Sequence, residues 1–149
     1  MYRRILAAVD DSEPAEAALG VAVELARSLH AGLTVIHVVE TPSGAGITSG
    51  VPVLKEIDLR RERGTVFLQR VGMRLPAELQ PTLLLRVGPP AEQILAAAEE
   101  CEADLIVLGT HGRMGLHRLA LGSTADAVTR RSRHPVVTVR SAWNETAVA

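Results

Sequence analysis

Apolar residues fall into five short runs along the chain, and the segments between them carry apolar residues at a helical spacing. The runs are rich in valine, leucine and isoleucine, which is typical of strands buried on both faces of a parallel sheet. We predict strands over residues 5–9, 33–39, 81–87, 105–108 and 136–139. Five strands that alternate with four helices indicate an α/β fold in which helices cover both faces of a parallel sheet.

The first helix is marked at both ends by residues with known preferences. Either Asp11 or Ser12 can cap it, and Pro14 suits its first turn. Ala18, Ala22, Leu25 and Leu29 then recur at helical spacing. Gly32 is expected to end the helix, because glycine readily adopts the left-handed conformation found after helix C-termini.

The second helix is predicted over residues 54–75, after a segment, 41–52, that has the composition of a loop. The charged run 58–63 is interpreted as the solvated face of this helix. Its apolar stripe consists of Ile57, Phe67, Leu68, Val71 and Leu75.

A glycine-punctuated segment follows the fourth strand and leads into the last helix. Its spacing is G-x2-G-x9-G-S, formed by Gly109, Gly112, Gly122 and Ser123. Glycines let a backbone come close to an anion, and the free N–H groups and partial positive charge of a helix N-terminus stabilise phosphate. The segment therefore predicts a phosphate site, and the alternative is that its glycines serve only turns and packing.

Three segments of the sequence resemble the universal stress protein family. They are this loop, AAVDDSE at residues 7–13 and HPVVTVR at residues 134–140, and the resemblance extends over about residues 1–140. The loop is similar to the one that defines the ATP-binding branch of the family. The resemblance implies a Rossmann-like, adenine nucleotide alpha-hydrolase-like three-layer sandwich with strand order 3-2-1-4-5. It also implies one domain over residues 1–141, followed by a loose tail at 142–149.

The resemblance further implies a nucleotide site at the ends of the first and fourth strands. In the family the loop glycines and hydroxyls contact ribose and phosphates, an aspartate reaches the adenosine side, and a backbone position on the second strand pairs with the adenine edge. From the residues alone, the alternative for Asp10 is a helix cap, but Asp11 or Ser12 could serve as the cap and leave Asp10 for a ligand; Val38 is equally well explained as part of the core. Unlike some members, this chain has no proline just before the aspartate. The matching positions are Ala8, Val9, Asp10, Val38, Leu108, Gly109, Gly112, Gly122, Ser123 and Thr124.

Cationic and imidazole side chains in and near the loop add few candidates. Arg113 joins the site as a residue that could neutralise phosphate, and a solvated loop arginine is the alternative for both Arg113 and Arg118. His111 and His117 are expected at the surface, although His111 could touch phosphate, and His37 is expected to be structural. No P-loop, metal-ligand spacing or nucleophile pattern is present, so we predict neither metal ligands nor catalytic residues.

Composition narrows the classes of function. A formal net charge of −1 at pH 7 gives no reason to expect binding to nucleic acid or to anionic membranes. The single cysteine, Cys101, cannot form an intrachain disulfide, which is typical of a reducing cytosol, and it is expected to be a small buried residue. The sequence shows no signal peptide and no apolar run approaching about 20 residues, so we expect a cytoplasmic protein.

Together with these observations, the resemblance implies a cytoplasmic ATP-binding regulatory module for the stress response. Its ligand would be ATP, with Mg²⁺ or Mn²⁺ carried by the phosphates. The strand Val136–Val139 is expected at the sheet edge, and the resemblance implies that it pairs across a two-fold axis in a homodimer; an edge shielded by the tail is the alternative. Two other functions stay open: a slow ATPase or nucleotidyl-transfer-like enzyme, and a nucleotide-free dimer that binds a partner.

Overall fold

A computed structural model describes residues 1–41, 50–111 and 121–141 of the chain. Within these residues five strands, numbered along the chain, pair in parallel in the order 3-2-1-4-5, as predicted, and four helices alternate with them. A short 3-10 turn at Ala77–Leu79, which the sequence pattern does not predict, precedes the third strand. The elements are β1 Arg4–Ala8, α1 Glu13–Leu29, β2 Gly32–Val39, α2 Gly50–Arg74, β3 Thr82–Val87, α3 Pro90–Glu100, β4 Leu105–Gly109, α4 Ser123–Arg131 and β5 Val136–Val139.

Two aliphatic layers hold the helices against the sheet. Side chains of a strand alternate between faces, so Ala7 and Val107 pack with α1 and α2, whereas Leu6 and Ile106 pack with α3 and α4. The central strands β1 and β4 are therefore buried on both faces, which explains why they read as continuous apolar runs. None of the described helices has the length and apolarity needed to cross a membrane.

The prediction that Gly32 ends the first helix is wrong. The helix ends at Leu29, and His30 takes the left-handed conformation (φ 54°) with its N–H donating to the carbonyls of Ala26 and Arg27. Histidine tolerates this conformation better than most non-glycine residues. Gly32 instead begins β2, and its N–H donates to the Arg3 carbonyl at 2.8 Å.

The predicted loop over residues 41–52 is too long, because α2 begins at Gly50. Pro52 falls in the first turn of that helix, where a missing N–H costs no intrahelical hydrogen bond. Residues 42–49 and the predicted tail, 142–149, lie outside the described residues. Cys101 is only partly buried and lies at the C-cap of α3, not within the helix.

Strand β5 forms one edge of the sheet. It pairs with β4 on one side, and within the described part of the chain no strand pairs with its other side. All four residues of the strand are half-buried. The strand position predicted from the sequence is therefore confirmed, whereas its role in a dimer stays a prediction.

Candidate functional site

A cleft of about 820 Å³ opens at the carboxyl ends of β1, β2 and β4. It lies where the strand order reverses, because β1 continues into α1 on one face of the sheet and β4 is followed by α4 on the other. Gly112 and Arg113 lie outside the described residues. Every other predicted site residue lines this cleft: Ala8, Val9, Asp10, Val38, Leu108, Gly109, Gly122, Ser123 and Thr124.

The carboxylate of Asp10 is held in a fixed position at the end of β1. Its Oδ1 accepts hydrogen bonds from the backbone N–H of Ser12, at 2.9 Å, and from the Ser12 hydroxyl. Ser12 is the N-cap of α1, since its Oγ accepts from the Ala15 N–H at 3.3 Å. Asp10 is therefore not the helix cap, and it lies half-buried in the cleft with its carboxylate oriented by the capping residue.

Thr110 joins three elements at the floor of the cleft, and sequence reasoning missed it. Its N–H donates to the Val139 carbonyl at 2.8 Å, and its carbonyl accepts from the Gly122 N–H at 2.6 Å. The residue is only 4% exposed and is the buried polar residue of the described core. These bonds bring the start of α4 and the end of β5 against the end of β4. A threonine directly after a buried strand gives no signal of this role.

The N-terminus of α4 forms the end of the cleft that is suited to binding an anion. Gly122 is the N-cap, with extended backbone (φ −61°, ψ 157°) and no side-chain cap for the helix. The first N–H groups of a helix have no intrahelical partner, and the helix dipole adds partial positive charge there. Ser123 and Thr124 add hydroxyl groups to the same end of the cleft. This arrangement can hold an anion.

Gly109 has a packing role, which is the alternative that the sequence leaves open for the loop glycines. A Cβ atom at this position would lie 2.7 Å from the carbonyl carbon of Pro14 and 2.8 Å from the backbone nitrogen of Ala15. Such contacts are too short for any side chain, so glycine lets the end of β4 lie directly against the first turn of α1. The glycine thereby positions Asp10 and Ser12 beside the loop that follows β4.

Helix α2 forms one wall of the cleft. Two of the wall residues, Arg60 and Arg63, belong to the charged run 58–63, which the sequence pattern indicates as a solvated face. Arg60, Arg63, Gly64 and Phe67 line this wall, and their spacing of three or four residues places them on one side of the helix. Arg60 Nη1 donates to the Glu40 carbonyl at 3.3 Å. Arg60 and Arg63 precede Phe67 at helical spacing, and this spacing is the sequence signal that could have identified them as residues of the cleft wall.

His37 fastens this wall to β1 and confirms the prediction of a structural histidine. Its Nδ1 lies 2.9 Å from the Val9 carbonyl oxygen, which can only accept, so Nδ1 carries the proton. Its ring contacts Phe67 with centroids 4.7 Å apart. Gly64 allows α2 to approach β2 this closely, because a Cβ atom at Gly64 would lie 2.8 Å from Cγ2 of Val39.

His111 lines the cleft, so the prediction of a surface residue is wrong for it. Its Nδ1 lies 2.9 Å from Oγ1 of Thr110. Its Nε2 is buried and has no hydrogen-bond partner. His117 and Arg118 lie outside the described residues. Among the residues that the structure describes, no group of three or more histidine, cysteine, aspartate or glutamate side chains could hold a metal ion.

Fold and cleft together define a three-layer α/β protein with a candidate ligand site at the switch point of its parallel sheet. The chain belongs to the universal stress protein family, whose model matches residues 1–140. It is similar to the universal stress protein YxiE of Bacillus subtilis, with 34% identity over 94% of this chain and 100% of that protein.

Solved structures of the same family share the fold. Universal stress protein UspA from Lactobacillus plantarum matches with a TM-score of 0.78 and 28% identity, covering 93% of this chain and 98% of that one. A universal stress protein crystallised in complex with cAMP matches with a TM-score of 0.61 and 20% identity over 95% of this chain, a level of identity that shows the fold alone.

Proposed function

We propose that the protein is an ATP-binding regulatory module of the universal stress protein family. The observation that carries this proposal is the convergence of four separate chain segments on one cleft. Those segments are the end of β1, the end of β2, the end of β4 and the start of α4. They are the same segments from which the sequence predicts a nucleotide site. A universal stress protein that shares this fold was crystallised in complex with cAMP, so the fold can accommodate an adenine nucleotide.

The backbone of Val38 is suited to reading the edge of a base. Ile36 points its carbonyl toward β1, where it accepts the Val9 N–H at 2.9 Å. Backbone groups two residues apart on a strand point to the same side. The N–H and carbonyl of Val38 therefore point past Ala8, the last residue of β1 that pairs with β2. One donor and one acceptor in line match the amine and ring nitrogen of adenine.

Other groups along the cleft are suited to binding the ribose and the phosphates of ATP. The oriented carboxylate of Asp10 can accept hydrogen bonds from ribose hydroxyls. The N–H groups at the start of α4 and the hydroxyls of Ser123 and Thr124 can donate to phosphate oxygens. Gly112 and Arg113 stay predicted contacts of the same phosphates. Mg²⁺ or Mn²⁺ would enter with the phosphates and neutralise part of their charge.

Binding, not turnover, is the function that we propose. Fast phosphoryl transfer needs a positioned base, a metal and cationic groups around the phosphate. The described cleft residues include no lysine, and Arg60 and Arg63 belong to α2, which packs on the opposite face of the sheet from α4. We therefore expect any ATP hydrolysis or autophosphorylation to be slow, and we assign no catalytic residue. Substrate-dependent turnover that is lost in Asp10→Ala would favour the enzyme instead.

A variant at the N-cap of α4 tests the proposal. Gly122 has a negative φ, so valine fits its backbone, but the branched side chain blocks close approach of phosphate. We expect Gly122→Val to abolish ATP binding in calorimetry while its circular dichroism spectrum stays that of the wild type. ADP, AMP and cAMP titrated in parallel would define the preferred nucleotide. A wild-type protein that releases no nucleotide on denaturation and binds none of these ligands would favour the nucleotide-free dimer.

We also propose that the protein forms a homodimer through β5 and acts in the cytoplasm. The open edge of β5 supports the dimer, because an apolar edge strand offers unpaired N–H and carbonyl groups to a second copy. The cytoplasmic location stays a prediction that follows from the composition. Neither statement is needed for the nucleotide site, which is built from residues of one chain.

A further inference from the structure

The imidazole of His111 is a polar group in the cleft that the proposed contacts leave unused. Its Nε2 is buried and has no hydrogen-bond partner, whereas its Nδ1 is 2.9 Å from Oγ1 of Thr110. Folded proteins seldom bury a polar atom without a partner, and an exception calls for an explanation such as a ligand that completes it. The question is which ligand group Nε2 would meet.

The backbone around His111 is pinned between the starts of two helices. The carbonyl of Thr110 accepts from the Gly122 N–H at 2.6 Å, at the N-cap of α4. The carbonyl of His111 lies 3.3 Å from Oγ of Ser12, the N-cap of α1. His111 is therefore held beside the end of the cleft where helix N-termini favour an anion.

The partner of Nδ1 allows Nε2 to carry a proton. A threonine hydroxyl can donate or accept, since its hydrogen rotates about the C–O bond. When Oγ1 of Thr110 donates to Nδ1, the neutral ring carries its hydrogen on Nε2 and can donate it to a ligand oxygen. The backbone N–H and carbonyl of Thr110 are both engaged elsewhere, so its hydroxyl is held in place by bonds that do not involve the ring.

We propose, building on the ATP-binding function above, that His111 is a further phosphate-contacting residue that donates from Nε2. The bond would give Nε2 the partner that it lacks without a ligand, and its gain is the net gain of a hydrogen bond to a charged group. The contact would serve the phosphate part of the nucleotide and not the adenosine. Thr110 acts as the positioning residue, because its hydroxyl can donate to Nδ1 and so leave the proton on Nε2.

Calorimetry with ATP and adenosine tests the proposal on three variants. His111→Leu removes both nitrogens and keeps the approximate size, and it should weaken ATP binding about tenfold, which equals ~1.4 kcal/mol. Adenosine affinity should change less than about twofold, well under the step that a hydrogen bond to a charged group supplies. His111→Gln, whose amide can donate from a similar position, should recover part of the ATP affinity. His134→Leu is the matched control, because His134 pairs with Glu99 away from the cleft and should leave ATP affinity unchanged.

The possible results separate the two proposals. A wild-type protein that does not bind ATP would refute the proposed function, and the inference would fall with it. Wild-type protein that binds ATP, with His111→Leu binding equally well, would overturn only the role of His111. An equal loss of ATP and adenosine affinity in His111→Leu would show a structural role and would also overturn it. A crystal structure with ATP should show a phosphate oxygen within hydrogen-bond distance of Nε2.

Discussion

Replacement of Gly109 by alanine separates a packing role for this glycine from a purely ligand-binding one. The new Cβ would lie 2.7 Å from the Pro14 carbonyl carbon, 2.8 Å from the Ala15 nitrogen and 2.9 Å from Cβ of Pro14. Two of these atoms belong to the backbone of the first turn of α1, which cannot move without shifting the Ser12 cap. The clash cannot be relieved by the rotation of a flexible side chain.

The cost can be estimated from two opposing effects. Overpacking in a tight interior costs ~1–3 kcal/mol, while the loss of unfolded-state freedom from glycine to alanine returns ~0.4–1 kcal/mol. We expect Gly109→Ala to lower the free energy of unfolding by about 1–2 kcal/mol. Because urea slopes for small proteins are ~1–3 kcal/mol/M, the urea midpoint should fall by roughly 0.5–1 M.

Gly20→Ala provides a matched control with the opposite sign. Gly20 lies within α1 and is exposed, and no neighbouring atom comes within 4 Å of the position that a Cβ atom would take there. Alanine in a helix interior is favoured over glycine by ~0.5–1 kcal/mol, so this variant should be more stable than the wild type. Both variants are measured by urea unfolding without nucleotide. If Gly109→Ala unfolds at or above the wild-type midpoint, the packing role is refuted and Gly109 is needed only for ligand approach.

Two further predictions concern the dimer and the dependence of stability on pH. On β5, Val137 and Val139 point their backbone groups toward β4, so Thr138 points its backbone groups outward. Thr138→Pro removes an outward N–H and should shift a β5-paired dimer toward monomer in analytical ultracentrifugation. An unchanged dimer would refute pairing through this edge. Burial is the largest influence on Asp104 and acts to raise its pKa, but hydrogen bonds from the N–H groups of Arg3 (2.7 Å) and Arg4 (3.0 Å), with the charge of Arg4, outweigh it and lower the pKa. A carboxyl group whose pKa is lowered in the folded state stabilises the fold at pH values above its unfolded pKa, and this stabilisation is lost as the pH falls through the folded pKa. Asp104→Asn should therefore be less stable than the wild type at pH 7 and approach the wild type in acid. An equal loss of stability at both pH values in urea unfolding would contradict this.

The strand pattern could be predicted from the sequence because buried parallel strands leave an unambiguous trace. The apolar run 105–108 is too short for a helix and is covered on both faces, and the structure places it between β1 and β5. The strand order depends on the resemblance, since periodicity does not say which strands are neighbours. The helix end at His30 could not be read from the sequence, because Gly32 offers the stronger local signal two residues later.

The site was predictable where it depends on residue type and less so where it depends on tertiary contact. Asp10 and the glycine-serine pair at 122–123 stand at strand and helix ends, where residue type indicates chemistry. Arg60 lines the cleft on the side of α2 that Gly64 lets pack closely against Val39, a contact that the sequence does not show. The role of Thr110 in joining β4, β5 and α4 depends on backbone bonds that any residue except proline could make, so no side-chain pattern could reveal that role.

Side-chain charge in the described part of the cleft does not explain how a triphosphate would be attracted there. The ionised groups that line its described part are the carboxylates of Asp10, Asp11 and Glu40 and the guanidinium groups of Arg60 and Arg63. These charges nearly cancel, and the carboxylates lie at the ends of β1 and β2. In that described part, phosphate would be recognised mainly by oriented N–H groups and hydroxyls, which act at short range and need accurate placement. The bonds of Thr110 to Val139 and Gly122 supply that placement by locking the start of α4 to the sheet.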